Sequence, residues 1–479
     1  MDPQTNPPHT NETVLPNDSP APQANTIPPN PIQKNNSFSL IIISSLVFVL
    51  LLAVLIFFAI KTTSTKTTSH SVVRHQATTY TPVSSVLTPT QEVSSFNSLG
   101  TMFGADNART GLYHGGGVNN PPTLLWSFTT DRSADGNDQA SSIPSTPVIA
   151  EGKVFFVTIG GDIYAVDEKT GQKMWKTTTD CTINYSTPAY ANGKLYIGSD
   201  CDGLSAVDAT TGKIIWNFNP IKKANNNSLY TDNTFAVNSS PVVVDGIVYA
   251  GTQGGVTAID AVTGKEIWQA KKSGGSTVAL SDKMVFANDG LGNLYAIDKA
   301  TGIQKWTKKI IGTTLFSFPV VSESIVILGN DDGMLFAFDA GNGQEKWTYL
   351  SCQNTHCSPS FEGSPAVDGA MAYVTWDKGN VSAVDLATGK EKWKILLGDL
   401  SLYSPTINNN TLYVTTLNHE IKPNSNYVYA IDTQTGQKKW EYLVPPQQDH
   451  YGNSILNSAS IYNGVLYFGS DAGTLYALH

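Results

Sequence analysis

The chain has 479 residues, of which 40% are hydrophobic and 14% charged, and its formal net charge is −9. An acidic balance with no basic stripe argues against a nucleic-acid binder. The absence of HExxH or any nucleophile–base motif gives no support to hydrolase chemistry.

Residues 1–37 are rich in Pro, Asn and Thr, with almost no aliphatic periodicity. They read as a disordered tail, because they cannot bury enough apolar surface to offset ordering. Phe38 to Ile60, FSLIIISSLVFVLLLAVLIFFAI, is a 23-residue run without a charge. A helix of that length reaches ~34 Å, enough to cross a bilayer. The run starts late, is long and has no A-x-A site after it, so it reads as a retained single-pass transmembrane anchor rather than a signal peptide. Lys34 precedes it, while Lys61, Lys66 and Arg74 follow. Charge alone would therefore keep the rest of the chain in the cytoplasm. Residues 61–98, dominated by Ser and Thr, read as a flexible stalk.

From there to His479 one pattern governs the chain. A-x-D-x-x-[TN]-G-x-x-x-W occurs seven times, ending at Trp175, Trp216, Trp268, Trp306, Trp347, Trp393 and Trp440, with copies 38 to 52 residues apart. Fixed spacing inside a unit and variable spacing between units mark repeated supersecondary structure. Each unit reads as four short strands; in the third, SSPVVV, IVYAG, VTAID and KEIW are separated by Asp245-Gly246, a glycine-rich turn and the Asp260–Gly264 turn. The same hairpin signal recurs at Glu151-Gly152, Asn192-Gly193, Asp368-Gly369 and Asn463-Gly464. Such units predict an all-β propeller over residues 99–479. The last repeat stops at Ala477-Leu478-His479, before its Asp-turn-Trp, and the missing outer strand stands at the front as PTLLWSFTTD with Trp126. Joining the two ends gives an eighth blade and closes the ring without a free edge.

These repeats resemble the Trp-docking motif of the quinoprotein alcohol dehydrogenase-like superfamily, the pyrroloquinoline-quinone (PQQ) type of repeat. The resemblance implies that Trp126, Trp175, Trp216, Trp268, Trp306, Trp347, Trp393 and Trp440 fasten neighbouring blades, each packed between its motif Ala and a peptide near a Gly. The stretch FGADNARTG (103–111) is similar to the G-x-D-x-x-R-T-G lead-in of such propellers. In the superfamily's enzymes PQQ lies over the central channel on a Trp floor, under a disulfide of adjacent cysteines. Their Ca²⁺ is held by Glu, Asn and Asp. This sequence has no Cys-Cys pair and lacks their large insertions, so the resemblance implies the fold more strongly than the cofactor.

All four cysteines fall in the repeats. Cys181 and Cys201 belong to two loops on one face, and Cys352 and Cys357 flank SCQNTHC. Two local disulfides, worth roughly 3 and 2 kcal/mol by loop closure, are expected. A Cys/His metal site with His356 is the alternative. Disulfides would put the propeller outside the cytoplasm, against the charge asymmetry.

The candidate site is the channel mouth, ringed by the first residues of the innermost strands: Ser145, Tyr185, Asn238, Ser276, Phe316, Glu362, Tyr403 and Asn457. Glu362, with Asn238 and Asn457, could hold Ca²⁺ through oxygen ligands; a polar ring lining a water-filled channel is the plainer reading. Trp376, the one Trp off the motif, could stack on a quinone, sugar or peptide, or merely pack under a hairpin. Residues 131–142, 222–236 and 417–426 are insertions on the same face, where binding loops usually lie. The first of them faintly resembles a Ca²⁺ loop, through Asp131, Asp135 and Asp138, but lacks the terminal bidentate Glu. The expected function is non-enzymatic binding or scaffolding, for a protein or cell-envelope partner at the looped face. In this the chain is similar to compact eight-bladed lipoproteins of the bacterial barrel-assembly machinery, although its anchor differs. A PQQ- and Ca²⁺-dependent dehydrogenase of alcohols or sugars, and a carbohydrate binder using Trp376, Tyr185 and Tyr403, are the alternatives.

Overall fold

The computed structural model describes residues 103–479 except 108, 110, 119, 132–140, 180–181, 184–185, 200–202, 220–238, 253, 272–274, 316, 352–359, 362, 377–378, 399–400, 418–425 and 446–453. The tail, the apolar run 38–60, the stalk and all four cysteines lie outside the described residues, as do most of the three insertions. Among the described residues there is no helix, and hence none long and apolar enough to cross a membrane.

Eight antiparallel sheets form the propeller. Blades 1 to 7 follow chain order, each running from an innermost to an outer strand. Blade 3 spans Val242–Val244 to Glu266–Lys271, blade 4 Ala279–Leu280 to Gln304–Lys309, and blade 5 Val320–Ser322 to Glu345–Leu350. Blade 6 spans Ala366–Asp368 to Glu391–Leu396, and blade 7 Thr406–Asn408 to Lys438–Leu443. Blade 8 pairs three C-terminal strands, Ser460–Tyr462, Val465–Gly469 and Thr474–Leu478, with the outer strand Leu124–Thr129. The two ends of the repeat array thus share one blade, as the missing motif implied.

The middle strands are apolar on both faces, because each blade packs on two neighbours; IVYAGT and GVTAID are buried almost throughout. The outer strands alternate exposed and covered residues. In the inner hairpins, Glu151-Gly152, Asn192-Gly193, Asp245-Gly246 and Asn463-Gly464 have positive φ at both residues, as a two-residue turn between twisted strands requires. Blade 6 differs by one residue. Asp368 pairs with Met371, so the turn is Gly369-Ala370 and only Gly369 has positive φ.

Each motif Trp lies opposite its own Ala across the outer strand pair, as Trp268 does Ala258. Its indole N–H reaches the next blade and donates to the carbonyl of the residue after the motif Asp. Trp175 bonds Ala209 O at 3.1 Å, Trp216 Ala261 O at 3.3 Å and Trp347 Leu386 O at 2.9 Å. The ring face covers that blade's motif glycine so closely that a Cβ on Gly264 would sit 2.6 Å from Trp216 Cδ2. The Asp makes the turn itself. Asp260 Oδ1 accepts from the Thr263 amide and hydroxyl at 2.7 and 2.8 Å, and these bonds hold its carboxyl below its ordinary pKa.

Eight Trp residues need eight seats, but there are only seven motif glycines. Trp440 faces blade 8, where the chain ends before any Asp-turn-Gly. Its N–H donates instead to Val118 O at 3.2 Å. A segment upstream of the first repeat supplies the last seat.

Candidate functional site

That segment, residues 103–118, runs through the central channel. Four-stranded meanders place the connections between blades and the turns between second and third strands on one face, here the looped face. Phe103 sits at that end of the channel, edge-on to Phe318 at 6.3 Å. Leu112–Tyr113 then pairs in parallel with the innermost strand of blade 7, Leu112 opposite Ile407 and Tyr113 opposite Asn408. At the far face Gly116 O accepts from Gly464 N at 3.0 Å.

Arg109 is the segment's plug, at 1% exposure. Its Nε donates to Val278 O at 3.0 Å, and Nη2 to Ser240 O and Pro241 O at 2.7 and 3.1 Å. Nη1 donates to Phe103 O. Burial among neutral carbonyls pulls its pKa down to about 9, against the opposing fields of Asp106 and Tyr113. Burial also raises the Tyr113 hydroxyl to about 12. Beside Phe103, Arg109, Tyr113, Ser364 and Ser404 lies a cavity of about 20 Å³, room for a single water.

Around this plug the innermost strands begin with two hydrogen-bonded tiers. In the first, Ser145, Ser186, Ser239, Ser276 and Ser317 each accept a backbone N–H from the residue twelve positions on. Asn457 does the same for Gly469 N at 3.1 Å. In the second, backbone amides bond hydroxyls of the next blade: Thr146 to Thr187, Thr187 to Ser240, Ser240 to Thr277, Phe318 to Ser364 and Ser364 to Ser404. The repeated Ser/Thr positions before the prolines are a fastening belt.

The predicted ring therefore mixed two registers. Ser145, Ser276, Tyr403 and Asn457 occupy the equivalent position, whereas Tyr185, Asn238, Phe316 and Glu362 stand one residue earlier and lie outside the described residues. Asn457 is buried and committed, its Nδ2 donating to Ile143 O at 2.9 Å. Trp376 ends strand Met371–Trp376 in the core between blades 5 and 6, 5% exposed. Its N–H donates to Ser382 Oγ at 3.2 Å, and Lys394 Nζ covers the ring at 4.0 Å. It offers no open face for stacking. Asn457 and Trp376 are thus committed to packing, while Asn238 and Glu362, the other proposed ligands, lie outside the described residues.

One surface on the looped face is open. The connection from blade 4 to blade 5 lies between two turns. Ile310 N and Thr314 N donate to Gly292 O and Gly290 O at 2.7 and 3.0 Å, and Asp331 N to Thr313 O at 2.9 Å. The arrangement leaves Ile311, Leu291 and Leu315 exposed at 71%, 54% and 49%. Asp289, Asp331 and Asp332 flank them and make no ion pair among the described residues, while Lys309 Nζ is held on Leu291 O at 2.7 Å. Sequence reading passed over this patch, because LGNL and IIGTTL look like ordinary strand ends; only the turn geometry turns their side chains outward.

Fold and channel together define an eight-bladed, Trp-docked propeller of PQQ-like repeats. The family described as outer membrane protein assembly factor BamB matches residues 118–275, 253–360 and 351–479, and the chain belongs to it. Outer membrane protein assembly factor BamB of Salmonella typhimurium strain LT2 is 36% identical over 104 residues, 19% of this chain and 26% of that protein. The match thus spans about a quarter of that relative's length. Among solved structures, quinohemoprotein alcohol dehydrogenase from Comamonas testosteroni is 15% identical with a TM-score of 0.62, covering 80% of this chain and 81% of that one. Europium-containing methanol dehydrogenase is 14% identical at TM-score 0.59, over 80% and 98%. The computationally designed Ika8 protein is 15% identical at 0.55, over 74% and 100%. At these identities the likeness is one of fold.

Proposed function

We propose that the chain is a membrane-tethered, non-enzymatic scaffold whose looped face docks a protein partner. The observation that carries this reading is the exposed patch of Leu291, Ile311 and Leu315, flanked by Asp289, Asp331 and Asp332, which make no ion pair among the described residues. Three large aliphatic side chains gathered in one exposed loop cluster cost solvation unless something covers them, and a protein surface with apolar and basic groups complements them. Membership of a family described as an assembly factor supports the same class of role. The run 38–60 supplies the tether in this reading, and disulfides between Cys181 and Cys201 and between Cys352 and Cys357, if formed, would favour an extracytoplasmic propeller.

A photo-crosslinking residue at position 311 of the full chain, expressed in its native host, tests it. A discrete adduct with another protein is expected, weakened at least about tenfold by Leu315→Asp. The same residue placed at Ile303, exposed at 62% on the opposite face, should give none. Equal adducts from both positions, or none from 311, would overturn the proposal.

A further inference from the structure

We propose that residues 103–118 form a mechanical clamp, which passes tension from the preceding chain into the whole ring and shields the strand that closes it. The clamp concerns load and stands whether or not the looped face docks a protein.

The order of elements decides where tension arrives first. A pull on the chain before Phe103 meets the channel segment first and the closing strand Leu124–Thr129 second. That outer strand is vulnerable from its leading end, where Thr123 and His479 exchange backbone bonds at 2.8 and 3.0 Å. Loaded there, the pairs from Leu124–Leu478 to Thr129–Thr474 would give way one after another.

The segment ahead of it is anchored differently. On one side Arg109 holds carbonyls leading into blades 3 and 4, and Asn107 O accepts from Leu280 N at 2.8 Å. On the other side Gly111 O accepts from Ile407 N of blade 7 at 2.8 Å, and Asn408 Nδ2 donates to Tyr113 O at 3.1 Å. Tyr113 OH bonds Ser460 Oγ of blade 8 at 3.3 Å. Tyr413 OH both accepts from Val118 N and donates to Val118 O, at 2.9 Å each. In a ring of eight, blades 3 and 4 stand opposite blades 7 and 8. The segment is therefore a strut across the axis. Because Leu112–Tyr113 runs parallel to an innermost strand, a pull along the channel loads its bonds together, in shear. Tension draws opposite blades onto the strut before any of it reaches Thr123.

Single-molecule force measurements on the full chain test this, with peptide-ligated handles in two geometries. The first pulls from residue 1 against an insertion at residue 303, in the outer turn of blade 4; the second pulls from an insertion at residue 169 in blade 1 against one at residue 210 in blade 2, blades that none of the strut's bonds named above reaches. Losing a charged hydrogen-bonding group is worth about tenfold in rate. Arg109→Gln should therefore raise the unfolding rate at fixed force about tenfold in the first geometry and change it less than about threefold in the second. Equal acceleration in both would make Arg109 an ordinary core residue, and no acceleration in the first would remove the clamp. If Arg109→Gln does not assemble, Tyr113→Phe with Asn408→Ala provides the same comparison.

Discussion

Adding one methyl group at a docking glycine should cost more than the same methyl at a hairpin glycine, and the difference isolates the Trp seat. Gly264 has φ +68°, and a Cβ there would meet Trp216 Cδ2 at 2.6 Å. Gly246, in the same blade, has φ +74° with nothing within 4 Å of its would-be Cβ. Both Ala variants bear the left-handed backbone penalty of about 1–2 kcal/mol. Only Gly264→Ala also forces an aromatic ring out of a packed seam, which adds about 1–3 kcal/mol. Urea titration followed by far-UV circular dichroism should therefore place Gly264→Ala about 1–3 kcal/mol below Gly246→Ala. Equal midpoints would mean that the Trp–Gly contact contributes no net stability, and the fastening role of the motif would have to be abandoned.

Trp440→Ala should destabilise the propeller as much as Trp268→Ala, about 3–5 kcal/mol each by urea titration; a cost near zero for Trp440 would show that Val118 is no true seat. Acid should loosen the blades together. The Thr hydroxyl and turn amides hold the carboxyls of Asp167, Asp208, Asp260, Asp298 and Asp385 below their ordinary pKa. A group depressed on folding stabilises above its unfolded pKa of about 3.9 and loses that contribution as pH falls through the folded value. The thermal midpoint should accordingly be flat from neutrality to about pH 5 and drop below about pH 4, with a smaller drop when several of these Asp residues are Asn. Ile311→Asp should leave the urea midpoint within about 0.5 kcal/mol of the parent, as expected of a surface change, while reducing partner crosslinking from a probe at position 315.

The repeat made most of the fold legible. Seven invariant spacings specify blades, and the orphan strand carrying Trp126 specifies how the ring closes, because such a motif works only with a neighbour in place. The lead-in was legible only as a likeness. One signal could have revealed its path: eight docking Trp residues against seven motif glycines leave Trp440 without a seat, so some other backbone must supply it. The channel ring was read in two registers, because Tyr185, Asn238, Phe316 and Glu362, which lie outside the described residues, stand one residue before the position equivalent to Ser145. The hydrogen bond to the amide twelve residues on fixes the register, and no local pattern displays it. Trp376 stood out by lying off the motif, yet its burial depends on Lys394 and Ser382, brought to it from the neighbouring strands of its own blade. The open patch depends in the same way on turns from two blades.

The central claim is that this propeller is a scaffold whose channel is filled by its own chain. Titration of the full chain with PQQ, with and without Ca²⁺, tests it most directly, with Trp fluorescence reporting occupancy and a dye-linked alcohol oxidation assay alongside. The account predicts no saturable change up to high micromolar quinone and no turnover. Saturable, Ca²⁺-dependent quenching with turnover would contradict it and return Asn238 and Glu362 to the centre of a catalytic site.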